Sequence, residues 1–179
     1  MESKTQSNLL TGSASPQILS INFNHKGDLF TVSTTEGFLV YQTSSKKLLS
    51  KTTIEGGVRT AQVMTPVGDA IGMAFVGTGK NLKYPRHKVV FWVTGKAQPQ
   101  SEINFSDTLG VVTLKADGGV LVAGLSNHIR GFSLKDLSKI FQINTCENPK
   151  GLFAITCHKD IVSVASPNIQ PGTVHLSRF

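Results

Sequence analysis

The sequence predicts an all-β protein built of small antiparallel sheets, and three observations support that class. From Ile18 onward the chain consists of short apolar or alternating stretches that are interrupted by Gly, Pro, Asp or Asn. Val, Ile, Phe and Thr dominate these stretches, and β-branched and aromatic residues suit a pleated, half-buried surface. No long window repeats its apolar positions with the helical period of about 3.6 residues. The segment that comes closest, Ser133–Phe141, is interpreted as a turn followed by a strand.

The first repeat shows how the elements follow one another. Residues 1–17 are polar and carry no periodicity, so we expect a disordered tail there. Each later strand is an alternating or apolar run between clusters of turn residues. Strands and turns then follow in the order Ile18–Phe23, turn 25–28, Leu29–Val32, turn 34–37 and Phe38–Tyr41.

Repetition of this unit predicts the architecture. Segments that resemble its third strand recur at 37–41, 88–92, 128–132 and 172–176. Their spacing of roughly 40–50 residues matches one four-stranded blade of a β-propeller. We therefore predict a partial β-propeller over 18–179 whose last blade is incomplete. Its four blades are expected at about 18–53, 58–106, 109–143 and 150–177.

A partial ring leaves sheet faces and edges open. Propellers close their rings with about 4–8 blades, and closure protects the strand edges that would otherwise pair with other chains. The sequence is therefore expected to be the amino-terminal half of a larger ring, or a truncated product. The WD signature is missing, because Trp92 is followed by Val93.

Composition limits the function classes. The 179 residues are 39% hydrophobic, enough to bury a core, and Lys plus Arg (18) exceeds Asp plus Glu (11) by +7. That charge favours lipid headgroups, nucleic acid or an acidic protein face without choosing among them. No apolar run approaches the ~20 residues of a membrane span, and no secretory signal is visible. Two cysteines outside any CxxC motif favour a reduced cytosolic setting.

Four segments carry a family resemblance. In chain order they are ILSINFNHKGDLFTVSTTEGFLVYQT (18–43), AFVGTGKNLKYPRHKVVFW (74–92), INTCENPKGLFAI (143–155) and PGTVHL (171–176). Together they resemble the PROPPIN family, the β-propellers that bind phosphoinositides in autophagy. The matching landmarks include Phe23-Asn24, the Lys-Tyr-Pro at 83–85 and the Asn-Pro-Lys-Gly at 148–151.

The resemblance implies a seven-bladed ring that docks peripherally on autophagosomal precursor, endosomal or vacuolar membranes. The lipids implied are phosphatidylinositol 3-phosphate and 3,5-bisphosphate. It also implies that loops of the first two blades contact autophagy proteins such as a lipid-transfer partner. The family's Arg-Arg-Gly lipid motif is not in this sequence, so no residue present is assigned to the headgroup. Lys26 stands where family members often carry an acidic residue.

Seven residues are candidates for contact with a partner or an anionic surface: Asn24, Lys26, Arg59, Lys80, Lys83, Arg86 and Lys88. Four of them are cations within nine residues, 80–88, which could meet an acidic partner or anionic lipid. The alternative is a solvated loop of a basic protein. Asn24 could instead cap its own turn. Arg59, at the start of the second blade, could join the face that carries Asn24.

No enzyme is predicted, because the sequence has no nucleophile elbow, metal-ligand spacing or paired carboxylates in a loop. No catalytic, cofactor or metal site is assigned, since the histidines are scattered. The remaining alternatives are a basic propeller fragment that binds nucleic acid and a generic protein-interaction scaffold. Aromatic residues make up only 7% and form no basic-aromatic stripe, so nucleic acid is not the expected partner.

Overall fold

The computed structural model describes residues 15–67, 70–106 and 110–179. All regular secondary structure in these ranges is β-strand. Most of the predicted tail, residues 1–14, lies outside the described residues, as does the predicted start of the third blade at residue 109.

The strands form four antiparallel sheets in chain order, each with neighbouring strands paired in sequence order. The first sheet holds β1 (Ile18–Phe23), β2 (Leu29–Thr34), β3 (Gly37–Gln42) and β4 (Leu48–Thr53). The second holds β5 (Val58–Val67), β6 (Ala70–Gly77), β7 (Lys88–Val93) and β8 (Ser101–Asn104). The third holds β9 (Thr113–Asp117), β10 (Val120–Gly124), β11 (His128–Ser133) and β12 (Lys139–Asn144). The fourth holds β13 (Ala154–His158), β14 (Ile161–Pro167) and β15 (Val174–Arg178). The predicted all-β partial propeller with an incomplete last blade is confirmed.

Because side chains alternate between the two faces of each sheet, each sheet can pack on its neighbours, and the four sheets form one stack. In β3, Phe38 and Val40 are buried while Leu39 between them is only half-buried, as expected for residues on opposite faces of a strand. Each pair of neighbouring sheets encloses its own apolar cluster. These clusters are centred on Phe38 and Phe75, on Phe91 and Leu121, and on Phe141 and Val164.

Phe75 holds the centre of the cluster between the first and second sheets. Its side chain is fully buried, and its ring lies 5.7 Å from that of Phe38 on the first sheet. The rings of Tyr84 and Trp92 lie 5.5 and 6.3 Å away, with tilted or edge-on geometry. Such aromatic pairs add to the stabilisation by area burial. The second sheet is therefore fixed against the first.

Because neighbouring strands run in opposite directions, each connection between strands lies at one of the two opposite ends of the stack. The chain passes from sheet to sheet at one end, which we call the crossover end. The turn between β2 and β3 and the long loop between β6 and β7 (78–87) lie at this crossover end as well. The turn between β1 and β2 and the turn at Gly118-Gly119 lie at the opposite end.

Replacing Phe75 tests the packing between the first two sheets. We expect Phe75→Ala to lower the free energy of unfolding by about 3–5 kcal/mol, because a buried ring is replaced by a cavity. Urea denaturation followed by fluorescence of the single tryptophan, Trp92, measures the change. Leu82→Ala is the control, because that side chain is 97% exposed, and it should change stability by at most about 0.5 kcal/mol. A loss below about 1 kcal/mol for Phe75→Ala would contradict this packing.

Candidate functional site

A basic groove lies at the crossover end, between the first and second sheets. Its volume is about 380 Å³. The residues that line it are Gln17, Leu19, Thr35, Arg59, Thr78, Lys80 and Arg86. Three of the seven predicted contact residues, Arg59, Lys80 and Arg86, therefore meet in one concave surface. None of the lining residues is acidic.

Two β-bulges shape the groove. The register of β5 against β6 shifts between Val58 and Thr60, so Arg59 is the extra residue. The register of β1 against β2 shifts between Ile18 and Ser20, which makes Leu19 the extra residue there. A bulge bends its strand and changes the direction of a side chain. Both bulged residues line the groove.

The loop over 78–87 supplies the opposite wall and is held to the connection between the first and second sheets. The Thr78 amide donates a hydrogen bond to the Gly57 carbonyl at 3.3 Å. Gly57 has a φ of +80°, and a Cβ there would lie 2.6 Å from the Thr35 carbonyl oxygen, so only glycine allows this approach. The buried Tyr84 ring anchors the far side of the loop against Phe75. The groove therefore rests on a fixed framework.

The cations in the groove repel one another. The Arg86 Nε donates a hydrogen bond of 2.6 Å to the Thr78 carbonyl, which fixes its guanidinium at the groove. Partial burial lowers the pKa of Arg59, and the nearby positive charge of Arg86 lowers it further. The ion pairs formed within the described part of the chain involve no groove residue. A bound anion would relieve this repulsion and make charge-assisted hydrogen bonds to the two guanidiniums.

Two other predicted contact residues, Lys83 and Lys88, lie against residues outside the groove. The Lys88 ammonium lies 2.8 Å from the Glu102 carboxylate on the neighbouring strand, and this hydrogen bond lowers the pKa of Glu102. The Lys83 ammonium lies 5.4 Å from the centre of the Tyr84 ring. Neither residue lines the groove. The nine-residue basic stretch is thus divided, with Lys80 and Arg86 facing the groove.

Asn24 and Lys26 lie at the opposite end of the stack from the groove. The Asn24 side chain accepts a hydrogen bond from the Leu29 amide at 3.1 Å and donates one to Asp28 at 2.6 Å. Asn24 therefore caps its own turn. The expectation that Arg59 joins the face of Asn24 does not hold, because Arg59 is at the start of β5 and Asn24 follows the end of β1. Asn22 and Phe23 bond to the middle of β5, which runs alongside β1 in the same direction.

Sequence reasoning missed four of the lining residues: Gln17, Leu19, Thr35 and Thr78. Thr78 belongs to a Gly-Thr-Gly-Lys stretch that lacks the spacing of a phosphate-binding loop. For Leu19 no signal was available, because a bulge depends on strand register. The two threonines add hydroxyl groups that can donate to an anion.

A second opening lies among the innermost strands of the stack. It has a volume of about 610 Å³ and is lined by residues of β1, β5, β9 and β13. His25 and the buried Asp117 lie 2.8 Å apart at its edge, so the first and third sheets meet there. Among the described residues, no three His, Cys, Asp or Glu side chains are grouped to hold a metal ion. The same ranges contain no helix with the length and apolarity of a membrane span.

Four successive antiparallel sheets, packed face to face around inner strands, define the class as a β-propeller. Solved structures of two proteins agree in fold. Hsv2 of Kluyvelomyces marxianus aligns with a TM-score of 0.70 at 16% identity, over 92% of this chain and 49% of that chain. KlAtg21, solved in complex with the coiled-coil of AgAtg16, aligns with a TM-score of 0.63 at 14% identity, over 91% of this chain and 52% of that chain.

Sequence relatives then specify the family. Autophagy-related protein 18e of Arabidopsis thaliana is 31% identical over 163 residues, which cover 89% of this chain and 42% of the relative. SVP1-like protein 2 of Neurospora crassa is 24% identical over 172 residues, which cover 89% of this chain and 39% of the relative. No family model matches. The resemblance to the PROPPIN family is confirmed, and the chain spans about two fifths of the length of these relatives.

Replacing Asn24 separates its structural role from a binding role. We expect Asn24→Ala to lower the free energy of unfolding by about 1 kcal/mol, because the Leu29 amide and the Asp28 carboxylate lose their partner. Urea denaturation provides the measurement. Lys26→Ala, an exposed position in the same turn, is the control and should have little effect. Equal stability of the two variants would contradict the capping role.

Proposed function

We propose that the protein is a non-enzymatic adaptor of the PROPPIN type that acts in autophagy. In this proposal the basic groove binds an acidic segment of an autophagy protein and so recruits it to a membrane. The observation that carries the proposal is the grouping of Arg59, Lys80 and Arg86 in one groove whose lining has no acidic residue. The sequence relationship to autophagy-related protein 18e supports the autophagy role.

The groove favours a ligand with carboxylates and some apolar surface. A guanidinium can bind a carboxylate through two parallel hydrogen bonds, and Arg59 and Arg86 offer two such groups. Leu19, which is 41% exposed, provides an apolar contact beside them. No lining residue is aromatic, so the groove offers no ring on which nucleic acid bases could stack. The structural neighbour KlAtg21 was solved with the coiled-coil of AgAtg16, which is consistent with a helical partner.

The partner we propose is a lipid-transfer protein of the autophagy machinery. The first and second sheets both contribute to the groove, through Thr35 on one side and the 78–87 loop on the other. This arrangement is consistent with the contact implied for loops of the first two blades. Asn24 and Lys26 would take no part, because they lie at the other end of the stack.

Lipid binding is proposed for the full ring. There it would recognise phosphatidylinositol 3-phosphate and 3,5-bisphosphate on autophagosomal precursor, endosomal or vacuolar membranes. The 179-residue sequence contains no adjacent pair of arginines. The family's lipid motif would clamp the separate phosphates of the headgroup with two arginines that are adjacent in sequence, which Arg59 and Arg86 of the groove are not. We therefore assign protein contact, and not headgroup recognition, to the groove.

A labelled acidic peptide tests the groove. The probe is a soluble labelled peptide in which Glu-rich helical turns alternate with turns that contain Leu. Fluorescence anisotropy measures the dissociation constant of its complex with the protein. We expect Arg59→Gln and Lys80→Gln each to weaken binding by about tenfold, the equivalent of about 1.4 kcal/mol for one charge-assisted contact. Lys47→Gln is the matched control, because it removes one exposed charge outside the groove lining.

The Lys47 control distinguishes binding at the groove from attraction to the net positive charge of the chain. If the Lys47 variant loses as much affinity as the Arg59 variant, the net charge of +7 drives binding and the groove proposal is wrong. Circular dichroism of each variant confirms that the fold is retained.

Vesicle flotation tests the assignment of lipid binding. We expect the 179-residue chain to bind vesicles with phosphatidylinositol 3-phosphate no better than neutral vesicles at physiological salt. Salt at that strength screens exposed charges beyond about 8 Å, so the net charge alone gives little binding. Flotation of the same chain with anionic vesicles at low salt is the positive control. Strong flotation that depends on the 3-phosphate at physiological salt would contradict the assignment.

A further inference from the structure

The basic groove is small for the number of cations that line it, and this points to a compact anion. Its volume of about 380 Å³ is near the lower end of the range for small-molecule sites, about 300–1,000 Å³. Arg59, Lys80 and Arg86 all line this volume, and no acidic residue does. A space of that size admits roughly one or two side chains of a partner. One carboxylate brings a single negative charge, so it would leave most of the positive charge in the groove without a counter-charge.

The donors of the groove come from different elements of the chain. Arg59 comes from the bulge at the start of β5, and Lys80 and Arg86 come from the loop between β6 and β7. Thr35 lines the groove from the turn between β2 and β3. The Thr35 hydroxyl accepts a hydrogen bond from the Gln17 amide at 3.1 Å, so its own proton can be donated to a ligand. The donors therefore surround one small volume from several sides.

The Arg86 side chain is fixed along its length. Its Nε donates to the Thr78 carbonyl at 2.6 Å, which leaves the two terminal nitrogens of the guanidinium for a ligand. The aliphatic part of the side chain lies over Gly79, where a Cβ would be 3.1 Å from the Arg86 Cγ. Gly79 has a φ of +85°, a conformation that favours glycine. The glycine therefore provides both the turn and the space in which Arg86 lies.

Two exposed glutamates beside the groove limit how widely a ligand can spread its negative charge. Glu36 follows Thr35 in the turn, and Glu55 precedes Gly56, whose carbonyl accepts the hydroxyl proton of Thr78. A long run of carboxylates and the anionic surface of a membrane would both bring like charge against these glutamates. The groove therefore favours a ligand that concentrates its charge at one residue.

We propose that the groove binds a phosphorylated serine or threonine of the partner segment. This inference rests on the proposed function, because it specifies which acidic group the recruited protein presents. A phosphate carries a charge of about −1.5 to −2 near pH 7 and has three acceptor oxygens. The guanidiniums of Arg59 and Arg86 can each donate two hydrogen bonds to these oxygens. Lys80 adds a point charge and Thr35 a hydroxyl donor. Leu19 contacts an apolar residue next to the phosphorylated one.

Three labelled peptides that differ at one position test the proposal. Their central residue is phosphoserine, glutamate or serine, and the flanking residues are uncharged and include Leu. Fluorescence anisotropy measures the dissociation constant of each complex. At about pH 7.5 we expect the phosphoserine peptide to bind about tenfold more tightly than the glutamate peptide, because the phosphate engages both guanidiniums. The serine peptide should bind more weakly than either.

The pH dependence of binding separates a phosphate from a carboxylate. The second pKa of a phosphorylated serine is about 6, so lowering the pH from about 7.5 to about 5 removes about nine tenths of the dianion. The phosphoserine peptide should therefore lose up to about tenfold in affinity. A glutamate keeps most of its charge over this range, because its pKa is about 4.3. The glutamate peptide also accounts for titration of the protein, including His87 in the loop between β6 and β7.

Two variants assign the phosphate preference to the groove. Arg59→Lys keeps the positive charge but loses the planar fork that binds two oxygens, and Thr35→Val removes the hydroxyl donor. Each should lower the ratio of the affinities for the phosphoserine and glutamate peptides by about three- to fivefold. Thr53→Val, at an exposed position of β4 outside the groove lining, is the matched control and should leave the ratio unchanged.

The outcomes distinguish this inference from the proposed function. Equal affinity for the phosphoserine and glutamate peptides, or a ratio that both groove variants leave unchanged, would overturn the phosphate site and leave the adaptor proposal standing. No affinity for any of these peptides or for the Glu-rich peptide would overturn both. Inorganic phosphate or inositol 1,3-bisphosphate should displace the probe less well than the unlabelled phosphoserine peptide does. Equal displacement would mean that the groove recognises free phosphate or a lipid headgroup, and it would overturn the proposal as well.

Discussion

Packing of one sheet face on the next is the interaction on which the rest of the structure depends. A sheet with an apolar face must bury that face against another element, so each sheet here depends on its neighbours. Each sheet here buries one or both faces in a cluster shared with its neighbour, and Phe75 joins the first two sheets through Phe38. The groove, the inner opening and the loop positions all follow from how these faces are stacked.

The groove shows how this packing creates a site for charge. Apolar contacts fix the second sheet against the first, and the bulge at Arg59 then directs a guanidinium into the space between them. Arg86 is held nearby by the Thr78 carbonyl. The positive charge of Arg86 there lowers the pKa of Arg59 on the other wall of the groove. A partner with carboxylates, as we propose, would meet an Arg86 side chain that is already ordered, which lowers the ordering cost of binding.

The sequence was sufficient for the fold and for part of the groove. The regular return of the third-strand segments identified four sheets, because every blade must bury the same alternating pattern. The basic stretch at 80–88 pointed to Lys80 and Arg86. Pairing of Lys88 with Glu102 was not visible, because it depends on which residues of β7 and β8 face each other. The bulge at Arg59 was hidden for the same reason, since strand register is a property of the pair and not of one strand.

The turn asparagines of the framework and Arg59 of the candidate site differ in whether their polar groups are compensated by partners inside the chain. Asn24 and Asn148 occupy turns in sequence motifs of the family, and each accepts a hydrogen bond from an amide further along its own turn. Their needs are met inside the chain, so their presence is explained by the fold. Arg59 has no such internal compensation, because burial and Arg86 both oppose its charge. An acidic ligand, as we propose for the groove, would balance these two cations.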